Sequence, residues 1–299
     1  MPTRVIITGA GGMLGQALLR TAPDDAAVIG VTRADGDLSL PQGVEAAILS
    51  NNPEVVIHAA AFTDVDGCER DPARAWRDNA LATRLVTWAC HRAGARLVYI
   101  STDYVFDGTN RLPYDEDVTP SPINVYGETK LAGERWVQTL ENSLIIRTQW
   151  LFGPGRRNFV AAIIERARQQ PRLQVVADQR GCPTYTLHLA PAIWQLALSN
   201  ETSIFHIAGH GATTWLEVAR CALEAVGIQK AIDSITLDDW PSVARRPRWS
   251  VLGQQRWVQW AGAPLPSWRQ GVYEYVRQLC ESFSKNVETI NSYACLLYT

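Results

Sequence analysis

Short apolar runs rich in β-branched residues alternate with amphipathic stretches along the first half of the chain. The runs cover residues 5–8, 27–32, 55–58 and 96–101 and predict strands. The stretches that follow them carry apolar residues at helical spacing and predict helices over residues 13–20, 41–51, 72–93 and 126–140. Because strand and helix alternate four times, we expect an α/β fold of the Rossmann type, with a doubly wound parallel sheet and helices on both faces.

The alternation is looser after residue 150. Residues 173–176 and 204–207 are predicted as strands and residues 214–226 as a helix, which begins with the capping-box pair Thr214 and Glu217. We therefore expect a dinucleotide-binding domain over residues 1–150, to which some later segments return, and a smaller α/β substrate-binding lobe over residues 151–283. Residues 284–299 follow an amphipathic last helix and are predicted to be a disordered or foreign tail.

A glycine cluster directly follows the first predicted strand. Gly9, Gly12 and Gly15 have the spacing Gly-x-x-Gly-x-x-Gly, a variant of the dinucleotide fingerprint Gly-x-Gly-x-x-Gly. Glycine accepts a positive φ, and without a Cβ it lets backbone N–H groups and a helix N-terminus approach a pyrophosphate. The cluster predicts a nucleotide-binding loop, although a glycine-rich turn that binds nothing would have the same pattern.

Charge and composition exclude several classes of protein. The formal net charge of −2 argues against a nucleic-acid-binding protein, which would carry a basic excess. No apolar run reaches the roughly 18 residues of a membrane helix, and the N-terminus lacks a signal segment, so we expect a soluble cytoplasmic protein. The six cysteines form no C-x-x-C pair and the five histidines do not recur at ligand spacing, so we predict reduced thiols and no metal site.

Polar residues that follow the predicted strands are candidates for ligand contacts, because ligands bind beyond the carboxyl ends of the strands in such sheets. Arg33 follows the second strand, and Asp35 and Asp37 come shortly after it. An arginine there can accommodate the 2′-phosphate of NADPH, whereas an acid would bind the free 2′-hydroxyl of NADH. Arg33 favours NADPH, and Asp35 keeps NADH open.

Tyr126 and Lys130 are four residues apart at the start of a predicted helix, so they share a helical face. A free tyrosine has a pKa near 10 and is a poor proton donor at neutral pH, but a neighbouring ammonium lowers that pKa. A hydroxyl such as that of Thr102, at the end of the fourth strand, would share the substrate carbonyl oxygen with Tyr126. The pattern predicts general acid catalysis coupled to hydride transfer.

Several segments together resemble a known enzyme superfamily, the extended short-chain dehydrogenases/reductases. They are Gly9-x-x-Gly12-x-x-Gly15, Ala59-Ala60-Ala61, residues 101–108 (Ser-Thr-Asp-Tyr-Val-Phe-Asp-Gly) and Tyr126-x-x-x-Lys130. Within the superfamily the chain most resembles the dTDP-4-dehydrorhamnose reductase family, and residues 147–153, 158–160 and 178–185 agree. The resemblance implies an NADPH-dependent reduction of the C4 keto group of a dTDP-4-dehydro-6-deoxy-L-hexose to dTDP-L-rhamnose or a close relative.

The resemblance also implies roles for individual residues. Tyr126 is expected to donate the proton, Lys130 to lower its pKa and bind the nicotinamide ribose, and Thr102 to share the substrate oxygen. The residues expected at the cofactor, with Arg33 added, are Gly9, Gly12, Met13, Leu14, Gly15, Arg33, Asp37, Leu38, Ala59, Ala60, Ala61, Ile100, Tyr126 and Lys130. Those expected at the dTDP-linked sugar are Thr63, Val65, Thr102, Asp103, Tyr126, Trp150, Asn158, Gln179 and Pro183.

Two departures bear on the alternatives. Related dehydratases place a glutamate where this chain has Tyr104, so dehydration is disfavoured, while an epimerase and a nucleotide-binding regulatory subunit like that of methionine adenosyltransferase stay open. Some members of the family form a magnesium-linked dimer through a glutamate early in the first helix, but the segment from Gly15 to Leu18 has no carboxylate. We therefore predict no metal-linked dimer and leave a homodimer of another kind open.

Overall fold

The computed structural model describes residues 1–281, so the predicted tail over residues 284–299 lies outside the described residues. The strands are β1 Thr3–Thr8, β2 Ala26–Val31, β3 Val55–His58, β4 Arg96–Thr102, β5 Ser143–Thr148, β6 Leu151–Phe152, β7 Arg172–Val176, β8 Arg180–Gly181, β9 Thr184–Tyr185, β10 Ile204–His206, β11 Thr213–Thr214 and β12 Ala231–Ile235. The α-helices are α1 Met13–Arg20, α2 Pro41–Ala47, α3 Val65–Arg70, α4 Pro72–Ala75, α5 Ala82–Ala93, α6 Val125–Val137, α7 Phe159–Gln169, α8 Thr186–Ala197, α9 Trp215–Ala225, α10 Gln255–Ala261 and α11 over residues 268–281.

Six strands form one parallel sheet in the order β2–β1–β3–β4–β5–β10. Their apolar side chains are buried on both faces, as those of Ile6 and Ile7 in β1 show with exposures of 1% and 0%. The sheet confirms the predicted α/β class with a central parallel sheet. The order of strands reverses between β1 and β3, and such a switch point opens a crevice at the carboxyl ends of the strands.

The long helix predicted over residues 72–93 forms with an interruption. Asp71 caps its start by accepting a hydrogen bond from the backbone N–H of Arg74, and Gly94 ends it in the left-handed conformation with φ of 64°. Between α4 and α5, the segment Trp76–Leu81 is a π-helical turn. Such turns widen the helix locally and are frequent at functional sites, and this one carries Asp78, which faces the cavity described below.

Two late segments pack on the early part of the fold. β10 pairs with β5 at the end of the main sheet, and α8 packs on α1, where Trp194 Nε1 donates to the carbonyl of Leu18 at 3.0 Å. A second cluster of buried apolar side chains, drawn from α7, β7, α9 and α11, lies outside the main sheet. The division into two lobes at residue 150 stays a prediction.

Within residues 1–281, no helix combines the length and the apolar composition that crossing a bilayer requires.

Candidate active site

A cavity of about 800 Å³ lies beyond the carboxyl ends of the main-sheet strands. That volume is in the upper range for small-molecule and cofactor sites. All the residues predicted for cofactor binding line this cavity, and so do Thr63, Val65, Thr102, Asp103 and Trp150 from the predicted substrate set. The fold therefore brings together residues from the first strand-helix turn through Trp150.

One end of the cavity is formed by the turn between β1 and α1, and we call it the glycine-loop end. Gly9 has φ of 71°, and a Cβ there would lie 2.7 Å from the backbone nitrogen of Ala60. A Cβ on Gly15 would overlap the carbonyl oxygen of Gly9. The loop is therefore restricted to glycine at both positions, and it leaves the N-terminus of α1 open toward the cavity, as a dinucleotide pyrophosphate requires.

Three arginines surround one carboxylate at the glycine-loop end. Arg33 Nη2 lies 2.9 Å from Asp78 Oδ2, Arg77 Nε lies 2.8 Å from Oδ1, and Arg74 Nε lies 3.4 Å from Oδ2. Burial by itself raises the pKa of Asp78, but the hydrogen bonds from Arg77 and Arg33 outweigh it and lower that pKa below its usual value. Arg33 and Arg74 line the cavity, so two cations are available for an anionic group.

The acids near Arg33 are occupied by the backbone. Asp35 accepts hydrogen bonds from the N–H and the hydroxyl of Thr32 at 2.8 and 2.7 Å, and it does not line the cavity. Asp37 lines the cavity and accepts from the N–H and hydroxyl of Ser39 at 2.9 and 2.7 Å. Asp35 is therefore not placed to bind the ribose 2′-hydroxyl of NADH in competition with the binding of a 2′-phosphate by Arg33.

The opposite end of the cavity is formed by the ends of β4 and β5 and the start of α6, and we call it the tyrosine end. Asn124 caps α6 by accepting a hydrogen bond from the N–H of Gly127 at 2.8 Å. Thr102, Tyr126 and Lys130 are buried, with exposures of 5%, 9% and 3%, and all three line the cavity. The fold thus brings the three predicted catalytic side chains together at a site that is largely shielded from solvent.

The pKa of Tyr126 is dominated by burial. Burial raises it above its usual value, and a hydrogen bond with Thr102 offsets only part of that effect. Lys130 Nζ donates to the carbonyl of Ile100 at 2.7 Å and lies 4.0 Å from the centre of the Tyr99 ring, and burial lowers its pKa to about 7. Burial therefore dominates the pKa values of both groups in the protein by itself, and a lowering of the Tyr126 pKa by Lys130 together with a bound nicotinamide stays a prediction.

A buried ion pair that the sequence analysis missed supports the same helix. Arg147 on β5 makes two bonds to Glu134 on α6, from Nη2 to Oε2 at 2.7 Å and from Nε to Oε1 at 2.9 Å. Ser101 donates to the same carboxylate at 2.5 Å, and His206 Nε2 lies 3.3 Å from Arg147 Nη1. The pair joins β4, β5, α6 and β10, and it fixes α6 one turn beyond Lys130.

Trp150 lies between β5 and β6, two residues after the end of β5, and has a backbone φ of 48°, an uncommon conformation for a bulky residue. Its ring stacks on Trp215, with centroids 3.8 Å apart and planes 8° from parallel. Trp215 comes from α9, far along the chain, and was not predicted as a site residue. The stack places an aromatic wall on the side of the cavity near the tyrosine end.

Several buried polar atoms on this part of the wall have no hydrogen-bond partner within residues 1–281. They are Asp103 Oδ2, Thr148 Oγ1, both amide atoms of Gln149 and Trp150 Nε1. Burial raises the pKa of Asp103 to about 7. Buried polar groups are nearly always paired in native proteins, so this concentration marks a place where a polar ligand is expected. Thr148 and Gln149 were missed by the sequence analysis, although they are polar residues at a strand end.

Three predicted substrate contacts are not on the cavity wall. The amide nitrogen of Asn158 donates to the Tyr275 hydroxyl at 2.9 Å, and its oxygen caps α7. The amide nitrogen of Gln179 donates to the carbonyl of Pro247 at 3.0 Å, and Pro183 is buried. The first two side chains are hydrogen-bonded within the protein, and a contact of these three residues with the sugar stays a prediction.

Sequence comparisons relate the chain to one family along nearly its whole length. The model of the RmlD substrate binding domain matches residues 3–281. The dTDP-4-dehydrorhamnose reductase of Streptomyces griseus is 38% identical over 286 residues, which cover 93% of this chain and 94% of that protein. The spore coat polysaccharide biosynthesis protein SpsK of Bacillus subtilis is 36% identical over 278 residues, which cover 92% of this chain and 98% of that protein.

Comparison with solved structures leads to the same group. The crystal structure of dTDP-4-dehydrorhamnose reductase from Bacillus anthracis in complex with NADP has a TM-score of 0.89 and 33% identity. The match covers 93% of this chain and all of that one.

Proposed function

Because this chain belongs to the RmlD substrate binding domain family, we propose that it is an NADPH-dependent oxidoreductase acting on dTDP-linked sugars. It reduces the C4 keto group of a dTDP-4-dehydro-6-deoxy-L-hexose, dTDP-4-dehydrorhamnose, to dTDP-L-rhamnose or a close relative. The identity with named reductases and the likeness to a reductase complexed with NADP support both the reaction and the cofactor.

The observation that carries this proposal is the shape of one cavity. It joins the glycine loop, where a dinucleotide pyrophosphate fits, to Thr102, Tyr126 and Lys130 at the other end. We assign Gly12, Met13 and Leu14 to the pyrophosphate and Arg33 to the adenosine 2′-phosphate, since Arg33 and Arg74 beside Asp78 are positively charged and line the cavity. When bound, NADPH supplies the hydride that adds to C4.

The residues of the chain supply the proton and the electrostatic stabilisation. The hydroxyls of Thr102 and Tyr126 both donate to the C4 oxygen, and Tyr126 transfers its proton as negative charge develops there. A raised pKa keeps Tyr126 protonated before the reaction, and it also means that the phenolate must be stabilised for the proton to leave. Lys130, fixed on Ile100 O, stabilises the phenolate that forms when the proton leaves.

The alternatives are less well supported. A pure regulatory subunit would have no use for a buried set of Thr102, Tyr126 and Lys130. An epimerase would keep oxidised NAD through purification, whereas a reductase must exchange its cofactor in each turnover. The arginines at the glycine-loop end favour the phosphorylated cofactor NADPH over the NAD of an epimerase.

The test is an assay of NADPH oxidation with the purified protein. Adding dTDP-4-dehydrorhamnose should oxidise NADPH in a 1:1 ratio to the dTDP-L-rhamnose formed, and the UDP-linked keto sugar is the matched control. Absence of turnover together with tight binding to a synthetase would overturn the reductase assignment in favour of a regulatory subunit. Tightly retained NAD and interconversion of two sugars would favour an epimerase.

We further propose that the enzyme works in the cytoplasm as a homodimer. Its buried thiols, among them Cys68 and Cys90, suit a reducing compartment such as the cytoplasm.

The homodimer is proposed from two exposed tryptophans. Trp88 on α5 and Trp136 on α6 are 42% and 41% exposed, and together they offer an aromatic face for a second copy of the chain. Light scattering after gel filtration measures the mass, and a monomer at micromolar concentration would contradict the proposed dimer.

A further inference from the structure

Gln149 is a buried side chain without an internal role. It lines the tyrosine end of the cavity and is 2% exposed, and within residues 1–281 neither Oε1 nor Nε2 of its amide has a hydrogen-bond partner. An unpaired buried donor or acceptor loses its hydration without compensation, so a protein rarely keeps both on one side chain unless something else pairs with them. The free amide therefore points to a ligand.

The position of Gln149 relates it to the reacting carbonyl. Thr102 on β4 and Thr148 on β5 are register partners, and neighbouring strands lie about 4.8 Å apart. Gln149 is the next residue along the chain from Thr148, as Asp103 is from Thr102. A sugar whose C4 oxygen lies at Thr102 and Tyr126 is thus within a few ångströms of the Gln149 segment.

The amide is also held in a confined place. Gly181 leaves the space for it, because a Cβ at that position would lie 2.6 Å from Gln149 Oε1 and 2.6 Å from Cε2 of Trp150. The stacked rings of Trp150 and Trp215 close the same side. The side chain has little freedom to turn elsewhere, so its donor and acceptor are available in a fixed direction.

The chemistry of the amide selects one group of the sugar. A carboxamide offers one accepting oxygen and two donating N–H groups, and a hydroxyl can pair with either. In a 4-keto-6-deoxyhexose the carbonyl carbon has two neighbours in the ring, C5 with its methyl group and C3 with a hydroxyl. The C3 hydroxyl is therefore the hydroxyl nearest to the reacting oxygen.

We propose that Gln149 is a specificity-determining residue that hydrogen-bonds the hydroxyl on C3 of the nucleotide-linked sugar, beside the C4 carbonyl. This assignment rests on the proposed function and deepens it, since it selects hexoses hydroxylated next to the ketone. Gln149 does not take part in proton transfer. It orients the ring so that C4 faces the donors at the end of β4.

The test measures binding of three ligands to the full chain by calorimetry: dTDP, dTDP-L-rhamnose and the C3-deoxy analogue of dTDP-L-rhamnose. In Gln149→Leu the Kd of dTDP-L-rhamnose should rise about 10-fold, as for one lost hydrogen bond. The Kd values of dTDP and of the C3-deoxy analogue should stay within about twofold of the wild type, because neither has a bond to Gln149 to lose. Gln149→Met repeats the test with an unbranched side chain should the leucine variant fail to fold.

A second glutamine provides a matched control. Gln179 is also 2% exposed, but both of its amide atoms are bonded, to Pro247 and to Trp215. Gln149→Leu should leave Tm unchanged or raise it by about 2 °C, whereas Gln179→Leu should lower Tm by several degrees. A fall in Tm for Gln179→Leu without a fall for Gln149→Leu separates an amide that maintains the fold from one that binds a ligand.

Each contrary outcome overturns the assignment. Equal weakening of dTDP-L-rhamnose and its C3-deoxy analogue would show that Gln149 does not recognise that hydroxyl, as would unchanged Kd values. A fall in Tm like that of Gln179→Leu would show a structural amide. Failure of the proposed function is recognised separately, because the wild-type protein would then not oxidise NADPH with dTDP-4-dehydrorhamnose.

Discussion

The two ends of the cavity differ in whether their polar groups are paired within the protein. At the glycine-loop end the charged groups are already paired with each other or with the backbone: Asp78 with three arginines, and Asp37 with Ser39. At the tyrosine end, Asp103 and Gln149 are buried and Trp150 is half-buried, and each has buried polar atoms without a partner within residues 1–281. The polar groups at the glycine-loop end are thus paired and partly exposed, whereas several polar atoms at the tyrosine end are buried and unpaired.

This difference indicates which end selects the ligand. An exposed, paired end loses little when a ligand is missing, so it can release and rebind a cofactor in each turnover. A buried, unpaired end stabilises the correct ligand strongly and penalises a ligand that leaves its atoms unpaired, which is how polar sites discriminate between similar substrates. The comparison predicts that substitutions at the two ends have separable effects on catalysis and on cofactor binding.

The largest expected effect comes from Tyr126→Phe at the tyrosine end. Removing the hydroxyl should lower kcat by about 10² or more, the range for loss of a general acid, because Tyr126 is the group assigned to transfer the proton. The Kd of NADPH should stay within about twofold, since the glycine-loop end is intact. Steady-state assays and fluorescence titration measure the two quantities, and Tyr273→Phe, at an exposed position, is the control. A kcat close to that of the wild type would remove Tyr126 from its assigned role.

An intermediate effect is expected from Arg33→Ala at the glycine-loop end. The Kd of NADPH should rise about 10-fold, because a charge-assisted hydrogen bond to the 2′-phosphate is lost, while the Kd of NADH should change less than about twofold. Titration with both cofactors, with Arg168→Ala on the exposed face of α7 as control, gives the comparison. Equal weakening of the two cofactors would contradict the assignment of Arg33 to the phosphate.

The smallest effect is expected in the stability of Lys130→Met. The pKa of Lys130 is about 7 in the folded protein and 10.5 in the reference state, so the unfolded chain binds more protons between those values. Burying a charged amine therefore destabilises the wild type most below about pH 7, and this cost disappears as pH rises toward 10.5. The variant should gain a few degrees in Tm near pH 6 and nothing near pH 10. Thermal melts across this pH range measure the difference in Tm between the variant and the wild type, with Lys230→Met as control. A difference in Tm that did not change with pH would disprove this prediction.

Local spacing was enough to predict the parts of the site that depend on neighbouring residues. The positive φ of Gly9 and the shared helical face of Tyr126 and Lys130 follow from short motifs. Arg33 was found because a polar residue after a buried strand lies at the ligand edge of the sheet. All of these residues line the cavity.

The features that the sequence did not reveal depend on contacts between distant segments. The stack of Trp150 on Trp215 joins the segment after β5 to α9, and Gln149 has its space because residue 181 is a glycine. The effect of burial on the pKa of Tyr126 could not be predicted for the same reason, since the degree of burial is set by the whole fold and not by the spacing to Lys130.

The return of β10 to the main sheet has a practical consequence for truncation and lobe exchange. A fragment ending at residue 150 would retain the glycine loop and Tyr126. It would lack β10, however, so β5 would become an exposed edge strand whose unpaired backbone groups favour self-association. It would also lose the partner of Leu18 in α8. Hybrids between relatives should therefore inherit residues 186–206 together with the N-terminal half, from the same parent.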